Sequence, residues 1–238
     1  MSSNKVTVEE RSKDEVADGD GEEVEQIYQA AEEYWKTVKP SVDGMLGGFG
    51  NLTVADISDS RAFLKTLRTK NRVPKHRALD CGCGIGRISK NLLLKHFLTV
   101  DLVDVTEQFL SASAAYLGAE LEKRIGEKFC CGLQDFVPKP RHYDVIWVQW
   151  VSGHLTDEHF VQFFQRCKTG LTEQGVIVLK ENVSSSETKD FDSEDNSYTR
   201  PRHLLLELFR EAECRVVRER KQQNWPSGMY QVLMFALK

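Results

Sequence analysis

The sequence has no apolar run longer than a strand, so it offers no candidate transmembrane helix, and no membrane association is expected. A signal-peptide signature is missing as well. Met1-Ser2-Ser3-Asn4-Lys5 leads into acidic residues rather than an apolar segment, and no secretory leader is expected. No block of lysine and arginine marks a nucleic-acid surface or a clear nuclear-localisation cluster, so direct nucleic-acid binding is not expected. Ordered cysteine spacing is also lacking. The six cysteines at 81, 83, 130, 131, 167 and 214 fit no zinc pattern, and an adjacent Cys-Cys pair is a poor disulfide framework. Reduced, mostly buried thiols and no bound metal are expected, which points to the cytosol or nucleus.

What is present suits one α/β domain. A chain of 238 residues with 40% hydrophobic side chains can bury one sizeable core. The net charge of −4 is unevenly spread: residues 1–25 carry three basic and nine acidic side chains, a local charge of −6, which leaves the rest at +2. Residues 1–21, polar with scattered glycine, are expected to form a disordered acidic tail, and 22–238 the folded domain. Val24, Ile27, Ala31, Tyr34, Trp35 and Val38 recur at helical spacing, which predicts a helix from Glu22 to about Thr37, ended by Pro40. A second helix is predicted over Asp59–Leu67, so residues of about 22–70 form an N-terminal helical cap. Between the two, Gly44, Gly47, Gly48 and Gly50 alternate with Met45, Leu46 and Phe49, the composition of a glycine-rich loop that packs on something.

From Arg77 onward strands and helices alternate. Strands are predicted at Ala78–Asp80, Thr99–Val103, Lys128–Cys131, Asp144–Val151, Val176–Lys180, Cys214–Arg220 and Tyr230–Lys238. Helices are predicted at Ile88–Phe97, Glu107–Leu117, Asp157–Lys168 and Arg202–Ala212. Alternation implies a parallel sheet with helices on both faces, and the last two strands, joined only by Asn224-Trp225-Pro226-Ser227-Gly228, must be antiparallel.

A strand ending in Asp80 is followed by Gly82-x-Gly84-x-Gly86 and a helix, the nucleotide-binding arrangement of an open α/β sheet. Asp104, at the end of the second strand, is placed to accept ribose hydroxyls, and Asp135 to meet an adenine edge. Dinucleotide loops usually space their glycines G-x-G-x-x-G and seat a pyrophosphate on the helix N-terminus. The G-x-G-x-G spacing here suits a cofactor without phosphate and with an amino-acid end, whose carboxylate Arg87 would pair with. With the antiparallel last strand, this resembles the class I methyltransferase fold: Rossmann-like, seven-stranded and dependent on S-adenosylmethionine. An NAD-dependent oxidoreductase and a non-catalytic cofactor-binding module are the rival classes.

In such sheets the reacting groups lie beyond the carboxyl ends of the strands. The fourth strand delivers Gln149, Trp150, Ser152, Gly153 and His154 there, and the fifth Glu181 and Asn182. A polar stretch from Ser184 to Arg200 carries Asp190, Asp192, Glu194 and Asp195, which reads either as a solvated acidic loop or as a pocket for a cationic substrate. Taken together, Val42–Gly48, Cys130–Phe136, Trp147–Asp157 and Lys180–Asn182 closely resemble the protein N-terminal methyltransferase family, over roughly Glu25 to the C-terminus.

The resemblance implies methylation of the free α-amine of proteins beginning Xaa-Pro-Lys or Xaa-Pro-Arg, with S-adenosylmethionine as donor and S-adenosylhomocysteine as product. It implies residence in nucleus and cytoplasm. It assigns cofactor contacts to Gly82, Arg87, Asp104, Leu133, Gln134 and Gln149, with Trp35 closing over the cofactor. It assigns the peptide channel to Leu46 and Gly47, the second-position proline to Trp150, the first carbonyl to Asn182 and the third-position cation to Asp192 and Ser197. Tyr230 is an aromatic beside the channel. His154 and Asp195 fall near the target amine and are the expected catalytic pair. Glu181 departs from the aspartate usual in the family, and Ser184–Lys189 diverges. A small-molecule or lysine-directed methyltransferase of the same fold is the alternative.

Overall fold

The computed structural model describes residues 16–238, with side chains from Val24 onward. Residues 1–15 of the expected tail lie outside the described residues. Helix α1 spans Val16–Thr37, so it begins six residues before the predicted Glu22. The glycine-rich stretch is more ordered than a loop. It holds a short helix, α2 (Val42–Met45), whose first turn is capped by the Ser41 hydroxyl accepting the Gly44 N–H at 3.1 Å. A 3₁₀ turn at Gly50–Leu52 leads into α3 (Thr53–Lys70).

Helix α3 is twice the predicted length, and the reason is visible in its buried face. That face carries Asp56, Asp59 and Ser60 alongside Ile57, Phe63, Leu64 and Leu67. Buried polar residues break the apolar stripe that sequence periodicity detects.

The sheet has seven strands: β1 (Arg77–Cys81), β2 (Thr99–Asp104), β3 (Ile125–Cys130), β4 (Tyr143–Gln149), β5 (Leu171–Val183), β8 (Val216–Lys221) and β9 (Gln231–Leu237). Their order is β3-β2-β1-β4-β5-β9-β8. Pairings from β3 through β5 are parallel, and β9 runs antiparallel to both β5 and β8. This is the predicted sheet, with its inverted last strand inserted between β5 and β8. The strand order reverses direction between β1 and β4, which places the crevice for a ligand at their carboxyl ends.

Helices α4 (Arg87–Asn91), α5 (Glu107–Leu117), α6 (Ala119–Glu122), α7 (Asp157–Gly170) and α8 (Arg202–Glu211) complete the layers. The predicted helix Ile88–Phe97 is interrupted: α4 stops at Asn91 and a 3₁₀ turn covers Leu93–Lys95. Alternate residues of β4 feed two separate cores. Ile146 and Val148 pack with Phe160, Phe163, Phe164 and Phe209 of α7 and α8, whereas Val145 and Trp147 pack with Phe63, Leu64 and Leu67 of α3. Burial on both faces explains why β4 reads as a nearly continuous apolar run. The Ser184–Arg200 stretch is not merely a loop. It contains a hairpin, β6 (Asp190–Asp192) and β7 (Ser197–Thr199), in which Asp192 faces Ser197.

Candidate active site

The glycine loop is built by close approach. Gly82 has φ of +64°, and its N–H donates to Val103 O at 2.9 Å. A Cβ at Gly82 would lie 2.5 Å from Val151, and one at Gly84 would lie 2.4 Å from Met45 Sδ. The loop is therefore pressed between the end of β4 and the α2 segment, and only glycine fits. Asp80, fully buried, anchors the following helix: its Oδ2 accepts the Ser89 N–H at 3.0 Å and the Ser89 hydroxyl at 2.6 Å. Burial pushes the Asp80 carboxyl up to about 7, against those hydrogen bonds.

The cleft above this loop is lined by all seven residues expected to contact the cofactor: Trp35, Gly82, Arg87, Asp104, Leu133, Gln134 and Gln149. Trp150 and His154 line it too. Asp104 Oδ2 accepts the Gly84 N–H at 2.8 Å and Oδ1 the Thr106 N–H at 2.9 Å. Each oxygen keeps a further lone pair for a hydroxyl. Asp135 is exposed and does not line the cleft, so the expectation that it meets an adenine edge is corrected; its neighbours Leu133 and Gln134 occupy that wall.

Arg87 does not stand alone, as the sequence suggested. Its Nη1 donates to Asp56 Oδ2 at 2.6 Å. The other oxygen, Asp56 Oδ1, accepts Gln149 Nε2 at 2.9 Å and the Lys180 ammonium. Lys180 also donates to Ser60 Oγ at 2.9 Å and Gln222 Oε1 at 2.7 Å. Asp56 and Lys180 are wholly buried. Burial acts to raise the Asp56 pKa, but Lys180 and Arg87 outweigh it and hold the carboxyl below its ordinary value. One carboxylate thus sits between two cationic side chains, and a second carboxylate entering the cleft at Arg87 would balance them. The apolar walls Ile88, Val105, Phe109 and Leu133 complete a site that fits S-adenosylmethionine, with its charged amino-acid end and flat adenine.

Sequence reasoning missed Asp56 and the role of Lys180. It also missed Tyr28, which lines the cleft and whose hydroxyl lies 2.6 Å from His159 Nδ1. Met45 lines the cleft, whereas the predicted channel residues Leu46 and Gly47 do not.

His154 is fixed from α1. The Trp35 indole Nε1 donates to His154 Nε2 at 3.1 Å. An indole nitrogen only donates, so Nε2 accepts and the neutral imidazole carries its proton on Nδ1. Nδ1 is buried and faces the Asn196 backbone, while Asp195 Oδ1 is buried with no partner among the described residues. Burial lowers the His154 pKa, and the nearby Asp195 charge acts against that. Gly153 lets the hairpin reach this corner, since a Cβ there would lie 2.9 Å from Tyr198 O. Arg200, at the end of β7, locks the turn: Nη1 donates to Ser152 O at 3.0 Å and Nε to Asp157 Oδ1 at 2.8 Å.

The remaining expected residues divide. Asn182 and Tyr230 share a second depression with Val183, Ser184, Ser185, Gly228, Met229 and Gln231. Tyr230 is half exposed and its hydroxyl donates to Asp190 Oδ2 at 3.2 Å. Asp192 is exposed and engages the Glu194 N–H at 2.9 Å, with Ser197 opposite it. Glu181 is buried, accepts the Ser152 hydroxyl at 2.8 Å, and is pushed up to about 7 by burial.

A family model described as AdoMet-dependent proline di-methyltransferase matches residues 23–238. A Xenopus laevis protein named N-terminal Xaa-Pro-Lys N-methyltransferase 1-A is 48% identical over 220 residues, covering 91% of this chain and 97% of its own length. The Danio rerio N-terminal Xaa-Pro-Lys N-methyltransferase 1 is 49% identical over 214 residues, 89% of this chain and 95% of its own. A solved Leishmania major SAM-dependent methyltransferase has a TM-score of 0.84 at 39% identity, over 89% of this chain and 83% of that one. This chain belongs to the AdoMet-dependent proline di-methyltransferase family.

Proposed function

We propose that this chain methylates the free α-amino group of proteins beginning Xaa-Pro-Lys or Xaa-Pro-Arg, after removal of the initiator methionine, by one to three methyl groups. The observation that carries the reading is the unpartnered acceptor Asp195 Oδ1 near His154, a residue of the cleft wall whose Nε2 is held by Trp35. A buried polar atom without a partner is costly, and a free acceptor matches an amine, which offers its N–H bonds while its single lone pair stays free for the methyl.

S-adenosylmethionine, when bound, supplies an electrophilic methyl on its sulfonium. Arg87 and Asp104 are the groups to hold its carboxylate and ribose, and Gln134 and Leu133 to border its base. A free α-amine has a pKa near 8, so deprotonating it at pH 7 costs only about 1–1.4 kcal/mol, against about 4.6 kcal/mol for a lysine side chain. A modest base therefore suffices. Because Trp35 occupies His154 Nε2, the imidazole presents a donor, and Asp195 is left as the group that accepts the amine's hydrogen bond and proton. Burial, and after it the charges of Glu194, Asp195 and Asp192, raise the pKa of the Tyr34 phenol, so this acidic turn lies near α1. Negative charge around this entrance supports a cationic third residue. Most of the rate comes from positioning. Residence in nucleus and cytoplasm is part of the same proposal.

The test is a peptide beginning Ser-Pro-Lys, with and without prior acetylation of its α-amine. Methylation of the free peptide alone is expected. Equal activity on the acetylated peptide, directed at lysine, or turnover only with small metabolites, would overturn the assignment. Asp195→Asn is expected to lower kcat by roughly 10²–10⁴-fold while cofactor affinity stays unchanged.

A further inference from the structure

Trp225 stands in the segment between β8 and β9, where the sequence showed only a turn. Its ring centroid lies 6.0 Å from that of Trp150, the planes tilted by 36°. Trp150 has φ of +53°, a conformation a bulky aromatic residue rarely adopts, and its N–H donates to Lys180 O at 3.1 Å. The start of the Trp225 segment is tied to the same scaffold. Gln222 accepts the Lys180 ammonium through Oε1 and donates to Ala55 O at 3.1 Å, while the Gln223 N–H donates to Asp59 Oδ2 at 3.0 Å. The segment that carries Trp225 thus starts from the same network that holds the Trp150 backbone.

Trp225 Nε1 is buried and has no hydrogen-bond partner among the described residues. An indole nitrogen only donates, so this is a directed donor that lacks an acceptor. The far end of the same segment, Gly228 to Tyr230, lines the depression that contains Asn182. The segment thus runs from the Trp150 ring to the Asn182 wall. On the peptide reading above, with the first carbonyl at Asn182 and the second residue on Trp150, Trp225 is the indole donor set against that second residue. A proline at that position has no N–H of its own, so its main chain offers only an acceptor there.

We propose that Trp225 is a specificity-determining residue of the peptide site: its indole N–H binds the main-chain carbonyl of the substrate's second residue, and its ring, set against Trp150, closes that end of the proline pocket. The proposal rests on the α-amine peptide reading above.

The experiment uses the full chain and a Ser-Pro-Lys hexapeptide, with Trp225→Phe to delete the N–H while keeping an aromatic ring. Peptide KM is expected to rise by roughly fivefold, the size of one neutral hydrogen bond, with kcat and S-adenosylmethionine affinity within about twofold of the parent. A second peptide replaces the Pro-Lys amide with an alkene, deleting the carbonyl. Its penalty is expected to be larger for the parent chain than for Trp225→Phe, because the partner is already gone. Equal penalties in both chains, or an unchanged KM in Trp225→Phe, overturn the assignment. A weakened cofactor affinity alongside the KM change also overturns it, since that marks a structural role. Failure of the parent chain to methylate the free hexapeptide sinks the α-amine reading itself, a result distinct from normal parent activity with an indifferent Trp225→Phe.

Discussion

Arg87 Nη1 and Asp56 Oδ2 meet at 2.6 Å between two buried side chains, joining the first residue of α4 to the first turn of α3. The same carboxylate bonds Gln149 and Lys180 through its other oxygen. The helical cap is therefore not a lid resting on a finished cofactor site. It contributes the anion around which the site's cation and amide are oriented.

Replacing that anion is expected to be expensive. Asp56→Asn leaves Lys180 and Arg87 buried without a counter-charge, and breaking a buried ion pair from one side costs about 3–5 kcal/mol. Urea unfolding is the measurement for stability. Calorimetric titration is expected to show S-adenosylmethionine affinity lowered by about tenfold, or ~1.4 kcal/mol, as Arg87 and Gln149 lose their shared anchor. Destabilisation below about 1 kcal/mol with normal affinity would show that the network is not the organising element.

Trp35→Phe tests the tautomer of His154. The substitution keeps an aromatic ring near Phe109, 6.3 Å away in the present edge-on contact, and removes the donor to Nε2. A donor on that lone pair favours the neutral imidazole, so its loss is expected to raise the His154 pKa. Nitrogen NMR shifts of His154 should move from the Nδ1-protonated pattern toward a mixture, and kcat should fall several-fold. An unchanged spectrum would mean that Trp35 does not set the tautomer.

The carboxyl of Asp80 gives a pH signature. Its folded-state pKa is raised to about 7 by burial, whereas an unfolded aspartate titrates near 3.9. Between those values the folded chain holds a proton that the unfolded chain has released. The corresponding stability is present in full below about pH 4 and is lost as pH rises through about 7. Asp80→Asn keeps an acceptor for Ser89 and removes the titration. The stability of the parent minus that of the variant is expected to fall by a few kcal/mol between about pH 4.5 and 7.5, read from urea midpoints. A flat difference would show that Asp80 is ionised throughout. Glu181, raised in the same direction, makes the parent curve alone ambiguous, which is why the difference is the informative quantity.

Local chemistry carried far in this sequence. The glycine loop, the α/β alternation and the short link between the last two strands depend on residues close together in the chain. They determined the fold class, the inverted last strand, the cofactor class and the cleft residues Gly82, Arg87 and Asp104, while Trp35, Leu133, Gln134 and Gln149 came with the family resemblance. The lengths of α3 and of the interrupted α4 were not legible, because a buried aspartate or a 3₁₀ turn leaves no periodic trace. The relations that give the site its chemistry were decided only by tertiary structure. Asp56 and Lys180 are 124 positions apart, Trp35 and His154 119, and no local pattern links partners that the sheet and its cap bring together. Burial then turns those meetings into function: out of water, an unpaired donor, acceptor or charge must find its partner or await one, and which residues meet there is a property of the fold.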